Sequence, residues 1–401
     1  MLLSLRLLLF GLLLLAGAPL SLHAQPRVPA TGPWSVRMAE SVMARQAIVK
    51  PEWHYEIGTL LKPFLDLYDR TRDQRYLDYV RANVEAYVQP DGSIRTYRKT
   101  EYNIDQVNSG KLVVALFERT REPRYRIAAE TLRAQMRTHP RTAEGGFWHK
   151  QIYPEQMWLD GLYMGAAFLA QYARAFDEPA LFDDVARQSL LMAARTRDPK
   201  TGLHYHAYDA TRRMYWADSL TGHSPHFWGR AMGWYLMALV DQLDYLPRNH
   251  PDRAAVVRVF RRAAEAVAKV QDPPSGLWYQ VLDQGNRARN YLEASASSMF
   301  VYALMKGARM GYLDASYRDV ARRGYRGLLD RLVTVDENGL VNLNQICLVA
   351  GLGGAQRRDG SYRYYVSEPA GANDPKGVGP FIMASLEIER AAAPLRPRAR
   401  R

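Results

Sequence analysis

The chain has 401 residues, 47% of them hydrophobic, and a formal net charge of +13. The hydrophobic content is enough for a large buried core, and a lone cysteine, Cys347, excludes an intramolecular disulfide. The charge does not identify a partner, because nucleic acids, anionic lipids and acidic substrates are all attracted to a basic protein. No lysine- and arginine-rich run is interleaved with aromatic residues, so we expect no nucleic-acid partner.

The first 24 residues have the pattern of a secretory signal peptide. Arg6 precedes the apolar stretch LLLFGLLLLAGA, and small residues follow before Gln25. This stretch is shorter than the roughly 20 apolar residues that span a bilayer, so a cleaved leader is favoured over an uncleaved anchor. We expect cleavage after Ala18 or Ala24, a periplasmic or secreted protein, and no stable membrane association after cleavage.

The remaining sequence predicts a single large domain over residues 25–395, which would be the catalytic domain of an enzyme, and a basic C-terminal tail at 396–401. Five segments each combine a nearly all-apolar helix, a short polar turn and an amphipathic helix: 58–88, 110–136, 161–194, 231–270 and 297–329. A helix that is apolar on all sides must be buried, and an amphipathic helix can cover it. A sixth pair is split between 34–45 and 378–392.

Six helical hairpins predict an all-α fold, the (α/α)6 barrel, in which six outer helices surround six inner ones. Repeats of this length also occur in open α-solenoids. The split sixth pair favours a closed barrel, because it brings the two ends of the chain together.

The segments before the inner helices converge on one end of such a barrel, and they carry many aromatic side chains. Tryptophans and histidines lie in or beside these segments: Trp148, Trp158, Trp228, Trp234, His149, His204, His206, His223 and His226. Aromatic walls with a few polar groups are typical of ligand pockets. Such a pocket suits a sugar ring, which has apolar faces and a hydroxyl rim.

Asp160 stands among apolar and aromatic residues in QMWLDGLYM (156–164), with no lysine or arginine in the stretch. A helix N-cap is the simpler interpretation, because Asp before an apolar run commonly begins a helix. A catalytic acid is the other, and a residue at the mouth of the barrel can serve as both. Exclusion of water by Trp158 favours the protonated carboxyl, whereas a helix N-terminus favours the charged form.

Asp105, in YNIDQVNSGK, precedes the second inner helix as Asp160 precedes the third. It is also interpretable as a cap, for a helix that starts near Asn108. Carboxyl groups at adjacent helix starts would lie close together, and such neighbours drive their pKa values apart. Glu293 and Asp374 occupy comparable positions, so position alone does not select the pair.

FWGRAMGWY (227–235) brings Trp228, Arg230 and Trp234 together. One interpretation is a set of core aromatics with a structural arginine. The other is a pair of faces that stack on a sugar, with Arg230 binding an anionic group such as a carboxylate.

Several other residues have a simple structural interpretation beside any functional one. His149 and His206 are candidates for hydrogen bonds to hydroxyls, but no metal-ligand spacing accompanies them, so we expect no metal or cofactor. Cys347 lies in an apolar stretch that predicts a buried thiol, and GLGG at 351–354 predicts a turn.

Six segments, taken in order, resemble the unsaturated rhamnogalacturonyl hydrolases of glycoside hydrolase family 105: YNIDQVNSGK, GGFWHK, QMWLDGLYM, GLHYHAYD, FWGRAMGWY and NDPKGVGPF. They resemble the unsaturated glucuronyl hydrolases more distantly. The likeness extends from about residue 35 to 390. It implies an (α/α)6 barrel that removes a terminal 4,5-unsaturated uronic acid from a lyase-generated oligosaccharide by hydrating its double bond, without metal or cofactor.

The same resemblance implies roles for single residues. Asp160 matches the general acid/base and Asp105 the second important carboxylate. Substrate-binding positions match His149, Trp158, His206, Trp228, Arg230 and Trp234. Gly229 and Met232 stand where small polar residues are usual, and this leaves the subsite preference open.

The substrate that fits best is unsaturated galacturonyl-rhamnose from the rhamnogalacturonan of pectin. An unsaturated glucuronyl unit from ulvan or a glycosaminoglycan is the alternative within the class. A sulfated substrate would require a further basic pocket, which the sequence does not locate. A non-catalytic protein that binds acidic oligosaccharides, and an endo-acting glycanase or lyase, are the alternatives from other classes.

Overall fold

The computed structural model describes residues 28–392. The predicted signal peptide, the C-terminal tail and the outermost residues of the predicted domain lie outside the described residues. Within residues 28–392, none of the helices combines the length and the apolar character needed to cross a membrane.

The chain folds mainly into α-helices, and their bounds match the predicted hairpins closely. In chain order they are α1 (Trp34–Arg45), α2 (Tyr55–Thr71), α3 (Gln74–Glu85), α4 (Gly110–Thr120), α5 (Pro123–Thr138), α6 (Leu159–Gly161), α7 (Ala167–Ala175), α8 (Leu181–Thr196), α9 (Gly229–Gln242), α10 (Arg253–Lys269), α11 (Ala294–Arg309), α12 (Tyr317–Arg331), α13 (Tyr362–Ser367) and α14 (Pro375–Ala392). Short 3-10 turns cover Lys99–Glu101 and Ile104–Val107.

Six of these helices form an inner ring. Contacts run from α2 to α4, α7, α9, α11 and α14, and then from α14 back to α2. Every residue of α9 is buried, as expected for a helix that is apolar on all sides. The outer helices α1, α3, α5, α8, α10 and α12 each pack on an inner neighbour, with α1 on α14. The prediction of an (α/α)6 barrel closed by the split pair is therefore confirmed.

Three two-stranded antiparallel sheets connect loops at the barrel end. Their strands are β1 (Gln156–Trp158) with β2 (Ala207–Asp209), β3 (Val333–Val335) with β4 (Val341–Leu343), and β5 (Ile346–Cys347) with β6 (Ala370–Gly371). In the first sheet Trp158 pairs with Ala207. This register brings His206 next to the start of the third inner helix, where the backbone N–H of Leu159 donates to its carbonyl at 3.0 Å.

The third inner helix is irregular in its first turns. After α6, residues Leu162–Ala166 form a π-helical turn before α7 begins. Gly165 packs against Ile104 so closely that a Cβ on the glycine would lie 2.7 Å from the isoleucine Cδ1. Single π turns inside α-helices are frequent at functional sites.

The N-cap interpretations of the two aspartates are wrong. Asp160 is the second residue of α6, whose N-cap is Trp158, so its carboxyl group is left for other contacts. Asp105 lies inside the 3-10 turn Ile104–Val107, and the side chain of Asn103 accepts the N–H of Asp105 at that cap. By contrast, the carboxylate of Glu293 does cap α11, at 2.6 Å from the N–H of Ala296.

A buried ionic cluster joins α9 to α11. The Lys306 ammonium lies 2.7 Å from Asp241 and 2.6 Å from Asp244, and the Tyr302 hydroxyl donates to Asp241 at 2.6 Å. Burial alone would raise the pKa of Asp241, but Lys306 and Lys62 hold that pKa at about 2. The carboxylate of Asp241 is therefore charged inside the barrel.

Replacing Lys306 with Met removes the only cation that contacts Asp241 directly among the described residues, and Lys62 acts from a greater distance. We expect the free energy of unfolding, measured with urea, to fall by about 3–5 kcal/mol. The exposed lysine of α10 offers a control, and Lys269→Met is expected to change little. Because the pKa of Asp241 is depressed, the contribution of the cluster is present at neutral pH and is lost as the pH falls from 3.8 towards about 2. Equal stability of the two variants at neutral pH would contradict this account.

Candidate active site

A cavity of about 360 Å³ opens at the barrel end where the inner helices begin. Most residues predicted for the site line it: Asp105, His149, Trp158, Asp160, Trp228, Arg230 and Trp234. The remaining predicted residue, His206, is fully buried and lies behind Asp160. The structure thus brings together side chains that are up to 129 positions apart in the sequence, from Asp105 to Trp234.

Asp160 contacts a neutral histidine. The carboxyl Oδ2 of Asp160 lies 3.3 Å from Nε2 of His206, and Nδ1 of His206 lies 2.8 Å from the Tyr365 hydroxyl. Burial lowers the pKa of His206 and raises the pKa of Tyr365, so the imidazole is uncharged and the phenol keeps its proton. We assign the Tyr365 hydroxyl as the donor, because this leaves the ring proton of His206 on Nε2, facing Asp160.

Asp105 has the opposite environment. The Lys150 ammonium lies 2.7 Å from its Oδ2, and Nε2 of His149 lies 3.4 Å from its Oδ1. Burial alone would raise the pKa of Asp105, but the Lys150 ammonium and the neighbouring His149 ring hold that pKa well below its ordinary value. Asp105 is therefore a fixed negative charge and not a proton donor.

Asp105 and Asp160 consequently have separate chemical capacities, and the third carboxyl group of the pocket, Glu56, is paired with Lys50 and Lys376. Among residues 28–392, no lysine or arginine nitrogen lies within 4.0 Å of the Asp160 carboxyl group. Asp160 is therefore the candidate for proton transfer, since Asp105 and Glu56 are each paired with a lysine. A pair of carboxyl groups with unequal environments is a common arrangement in acid–base sites.

Aromatic rings form the walls beside Asp160. The rings of His149 and Trp158 stack at 4.4 Å between centroids and 8° between planes, and Tyr153 stacks on Trp158 at 4.9 Å. On the opposite side, Trp234 stacks on Tyr163 at 4.8 Å. These rings limit the water around the carboxyl group and offer flat apolar faces to a ring-shaped ligand.

Arg230 supplies a buried positive charge. Its guanidinium lies 4.8 Å from the ring of Trp228 and donates to the backbone carbonyl of Cys347. Within the described part of the chain, no carboxylate oxygen lies within 4.0 Å of this guanidinium. An arginine that is 1% exposed and has no acidic partner is suited to bind an anionic ligand group.

Other pocket residues were not predicted. Lys50 and Lys376 both pair with the buried Glu56, and Lys376 also lies 2.8 Å from Asp374. Lys376 stands in NDPKGVGPF, so a signal for it existed in the sequence. Further unpredicted lining residues are His54, Tyr55, Lys150, Tyr153, Met164 and Arg358.

The described residues contain no group of three or more His, Cys, Asp or Glu side chains arranged to hold a metal ion. Cys347 is buried, as predicted, and the nearby Gln280 amide contacts its sulfur at 3.2 Å. Burial raises the pKa of this thiol, which is typical of a packing residue.

Comparison with known proteins gives a consistent result. The model for Glycosyl Hydrolase Family 88 matches residues 34–392. A solved glycoside hydrolase from family 105 of C. acetobutylicum is 49% identical, with a TM-score of 0.88, and the match covers 90% of this chain and 100% of that one.

Several relatives match in sequence, and two of them follow. A protein of Agrobacterium fabrum is 41% identical over 230 residues, which are 56% of this chain and 97% of the relative. The unsaturated rhamnogalacturonyl hydrolase YesR of Bacillus subtilis is 27% identical over 296 residues, which are 72% of this chain and 78% of that protein.

The pairing of Asp105 with Lys150 can be tested by titration. In Lys150→Met the carboxylate loses its nearest cation, so the pKa of Asp105 is expected to rise towards ordinary values. Carboxyl-carbon NMR on aspartate-labelled protein measures this shift directly. The exposed Lys269→Met is the matched control and is expected to leave the Asp105 titration unchanged. An identical Asp105 titration in both variants would rule out Lys150 as the cause.

Proposed function

The chain belongs to Glycosyl Hydrolase Family 88, and from this membership we propose that it removes a terminal 4,5-unsaturated uronic acid from oligosaccharides made by a polysaccharide lyase. The proposal rests mainly on one pocket in which, among residues 28–392, the Asp160 carboxyl group has no cationic partner and the buried Arg230 has no acidic partner. The chain is a glycoside hydrolase, and the unsaturated rhamnogalacturonyl and glucuronyl hydrolases are its relatives.

The proposed substrate is unsaturated galacturonyl-rhamnose from rhamnogalacturonan. The relative in Bacillus subtilis is named for this activity and aligns with 72% of the chain, which supports the choice. An unsaturated glucuronyl unit from ulvan or a glycosaminoglycan is the second candidate in the same class. The predicted signal peptide leads us to propose that the enzyme acts in the periplasm or outside the cell.

The reaction begins with proton transfer to carbon. Protonated Asp160 donates its proton to C4 of the unsaturated ring, and the resulting positive charge is shared by C5 and the ring oxygen. The Asp160 carboxylate then takes a proton from a water molecule, whose oxygen bonds to C5. Asp160 is protonated again at the end of the step, and one water molecule has been added across the double bond.

Release of the second sugar follows from the product of hydration. C5 now carries both a hydroxyl group and the ring oxygen, which makes it a hemiketal. This hemiketal opens to a ketone, and the open chain loses the sugar attached at C1. The rule that relates carboxylate spacing to stereochemistry in ordinary glycosidases does not apply, because no group attacks the anomeric carbon.

The other pocket residues have distinct proposed roles. His206, which is neutral and contacts the Tyr365 hydroxyl, lies 3.3 Å from Asp160 and limits the positions that its carboxyl group can take. Arg230 binds the uronate carboxylate, and Trp158, Trp228 and Trp234 provide faces for the sugar rings. Asp105 and His149 accept and donate hydrogen bonds at the hydroxyl rim, with Lys150 keeping Asp105 charged.

Replacing Asp160 with Asn removes the proton donor and keeps the shape of the side chain. We expect turnover of the unsaturated disaccharide to fall by about 100- to 10,000-fold, the range typical of general acid–base catalysis. The measurement is the loss of ultraviolet absorbance of the conjugated double bond. Calorimetric binding of the same disaccharide is expected to persist, and Asp177→Asn, on a surface turn, is the matched control.

Two results would contradict the proposal in different ways. Binding of the disaccharide by the unaltered chain without loss of absorbance would indicate a binding protein. Full turnover by Asp160→Asn, with an unchanged melting temperature, would assign the proton transfer to another residue. Activity on intact polymer, with none on unsaturated fragments, would indicate an endo-acting enzyme.

A further inference from the structure

The pocket contains two arginines without an acidic partner, at two different depths. Arg230 is 1% exposed, whereas Arg358 is half-buried and lies at the rim. Among residues 28–392, no carboxylate oxygen lies within 4.0 Å of the Arg358 guanidinium, which contacts only neutral acceptors.

The three lysines that line the pocket differ from the arginines in this respect. Lys150 pairs with Asp105, Lys376 pairs with Glu56 and Asp374, and Lys50 pairs with Glu56. The charges of these lysines are therefore neutralised within the protein. The pocket keeps two positive charges available, one deep and one at the entrance.

Arg358 is held in place before any ligand arrives. Its Nε donates to the carbonyl of Gly353 at 3.2 Å, and its Nη2 donates to the Tyr153 hydroxyl at 3.0 Å. Tyr153 in turn stacks on Trp158. The backbones of Gly353 and Arg358 exchange two hydrogen bonds, at 2.8 and 3.2 Å, which closes the loop that carries the arginine.

The GLGG segment (351–354), which the sequence predicts only as a turn, packs against the Arg358 guanidinium. A Cβ on Gly351 would lie 2.6 Å from Nη1 of Arg358, and a Cβ on Gly354 would lie 3.4 Å from Nη2. Gly353 and Gly354 also have φ angles of +65° and +73°, which side chains rarely adopt. The glycines let the backbone approach the arginine closely and fix its direction.

We propose that Arg358 binds a second anionic group of the substrate, located beyond the bond that is broken. This inference rests on the proposed function, in which the first anionic group is the uronate bound by Arg230. When the unsaturated ring reaches Asp160, the rest of the oligosaccharide must leave through the mouth of the pocket, where Arg358 lies. A guanidinium with free N–H groups binds sulfate or carboxylate in a paired geometry.

Two kinds of oligosaccharide carry such a group. In an alternating chain of galacturonic acid and rhamnose the second sugar is neutral and the third is a uronate. In a sulfated rhamnose substrate the anionic group is on the second sugar. Arg358 is thus the basic site that a sulfated substrate requires, and a preference for tetrasaccharide over disaccharide is the corresponding expectation for pectin fragments.

Three substrates separate these sources: an unsaturated galacturonyl-rhamnose disaccharide, its tetrasaccharide, and an unsaturated uronyl disaccharide with sulfated rhamnose. We expect kcat/KM for at least one charged substrate to exceed that for the neutral-aglycone disaccharide by about 10-fold or more, a size typical of a charge-assisted hydrogen bond. The excess should shrink as salt increases. Preference for the tetrasaccharide identifies the carboxylate, and preference for the sulfated disaccharide identifies the sulfate.

Substitutions at Arg358 test whether this residue causes the preference for the charged substrate. Arg358→Gln is expected to remove the preference, so that the ratio of kcat/KM for the charged substrate to kcat/KM for the neutral-aglycone disaccharide falls by about 10-fold. Arg357→Gln, the exposed neighbour on the same loop, is the matched control and is expected to keep the preference. Arg358→Lys, which keeps the charge without the paired N–H groups, is expected to keep part of it.

The outcomes are distinguishable. Equal kcat/KM on all three substrates in the unaltered enzyme would overturn the second-anion site and leave the proposed function intact. Loss by the same factor on all three substrates in both Arg358 variants would show a structural role and overturn the site. Absence of turnover on every substrate would overturn the proposed function and this inference with it.

Discussion

The inner ring closes where α14 packs between α11 and α2. A buried ion pair joins α14 to α2. Lys376, in the first turn of α14, pairs with Glu56, in the first turn of α2, although 320 positions separate them. Both residues also line the pocket. The contact that closes the barrel therefore also forms part of the site wall, and the six helix starts are held together around one cavity.

Within that cavity the proposed chemistry depends on the different environments of the Asp105 and Asp160 carboxyl groups. Lys150 pairs with Asp105, whereas Asp160 contacts a histidine that burial keeps uncharged. The cations of the pocket differ in the same way. The lysines are paired with carboxylates, whereas Arg230 and Arg358 have no carboxylate partner among residues 28–392. The pocket thus offers one carboxyl group for proton transfer and two positive charges, as the proposed protonation of an acidic sugar on carbon requires.

The sequence predicted the helix pairs because each apolar or amphipathic pattern is local to one segment. It also predicted that the aspartates lie near helix starts, but not that Asp160 lies two residues after the cap and that Asp105 lies inside a 3-10 turn. The apolar pattern does not define the first residue of a helix that closely. Arg358 had no local signal. Its guanidinium donates a hydrogen bond to Tyr153, another pocket residue, which is 205 positions away in the sequence. Only the fold brings these two residues together.

The central claim is that water adds to C5 after Asp160 delivers a proton to C4. Running the reaction in heavy water and examining the released uronic acid by NMR tests this directly. The account predicts one deuterium at C4 in a single configuration, because one side chain donates from one face of the ring. Release of the second sugar together with a uronic acid whose C4=C5 double bond is still intact, without deuterium at C4, would contradict enzymatic hydration and indicate attack at the anomeric carbon.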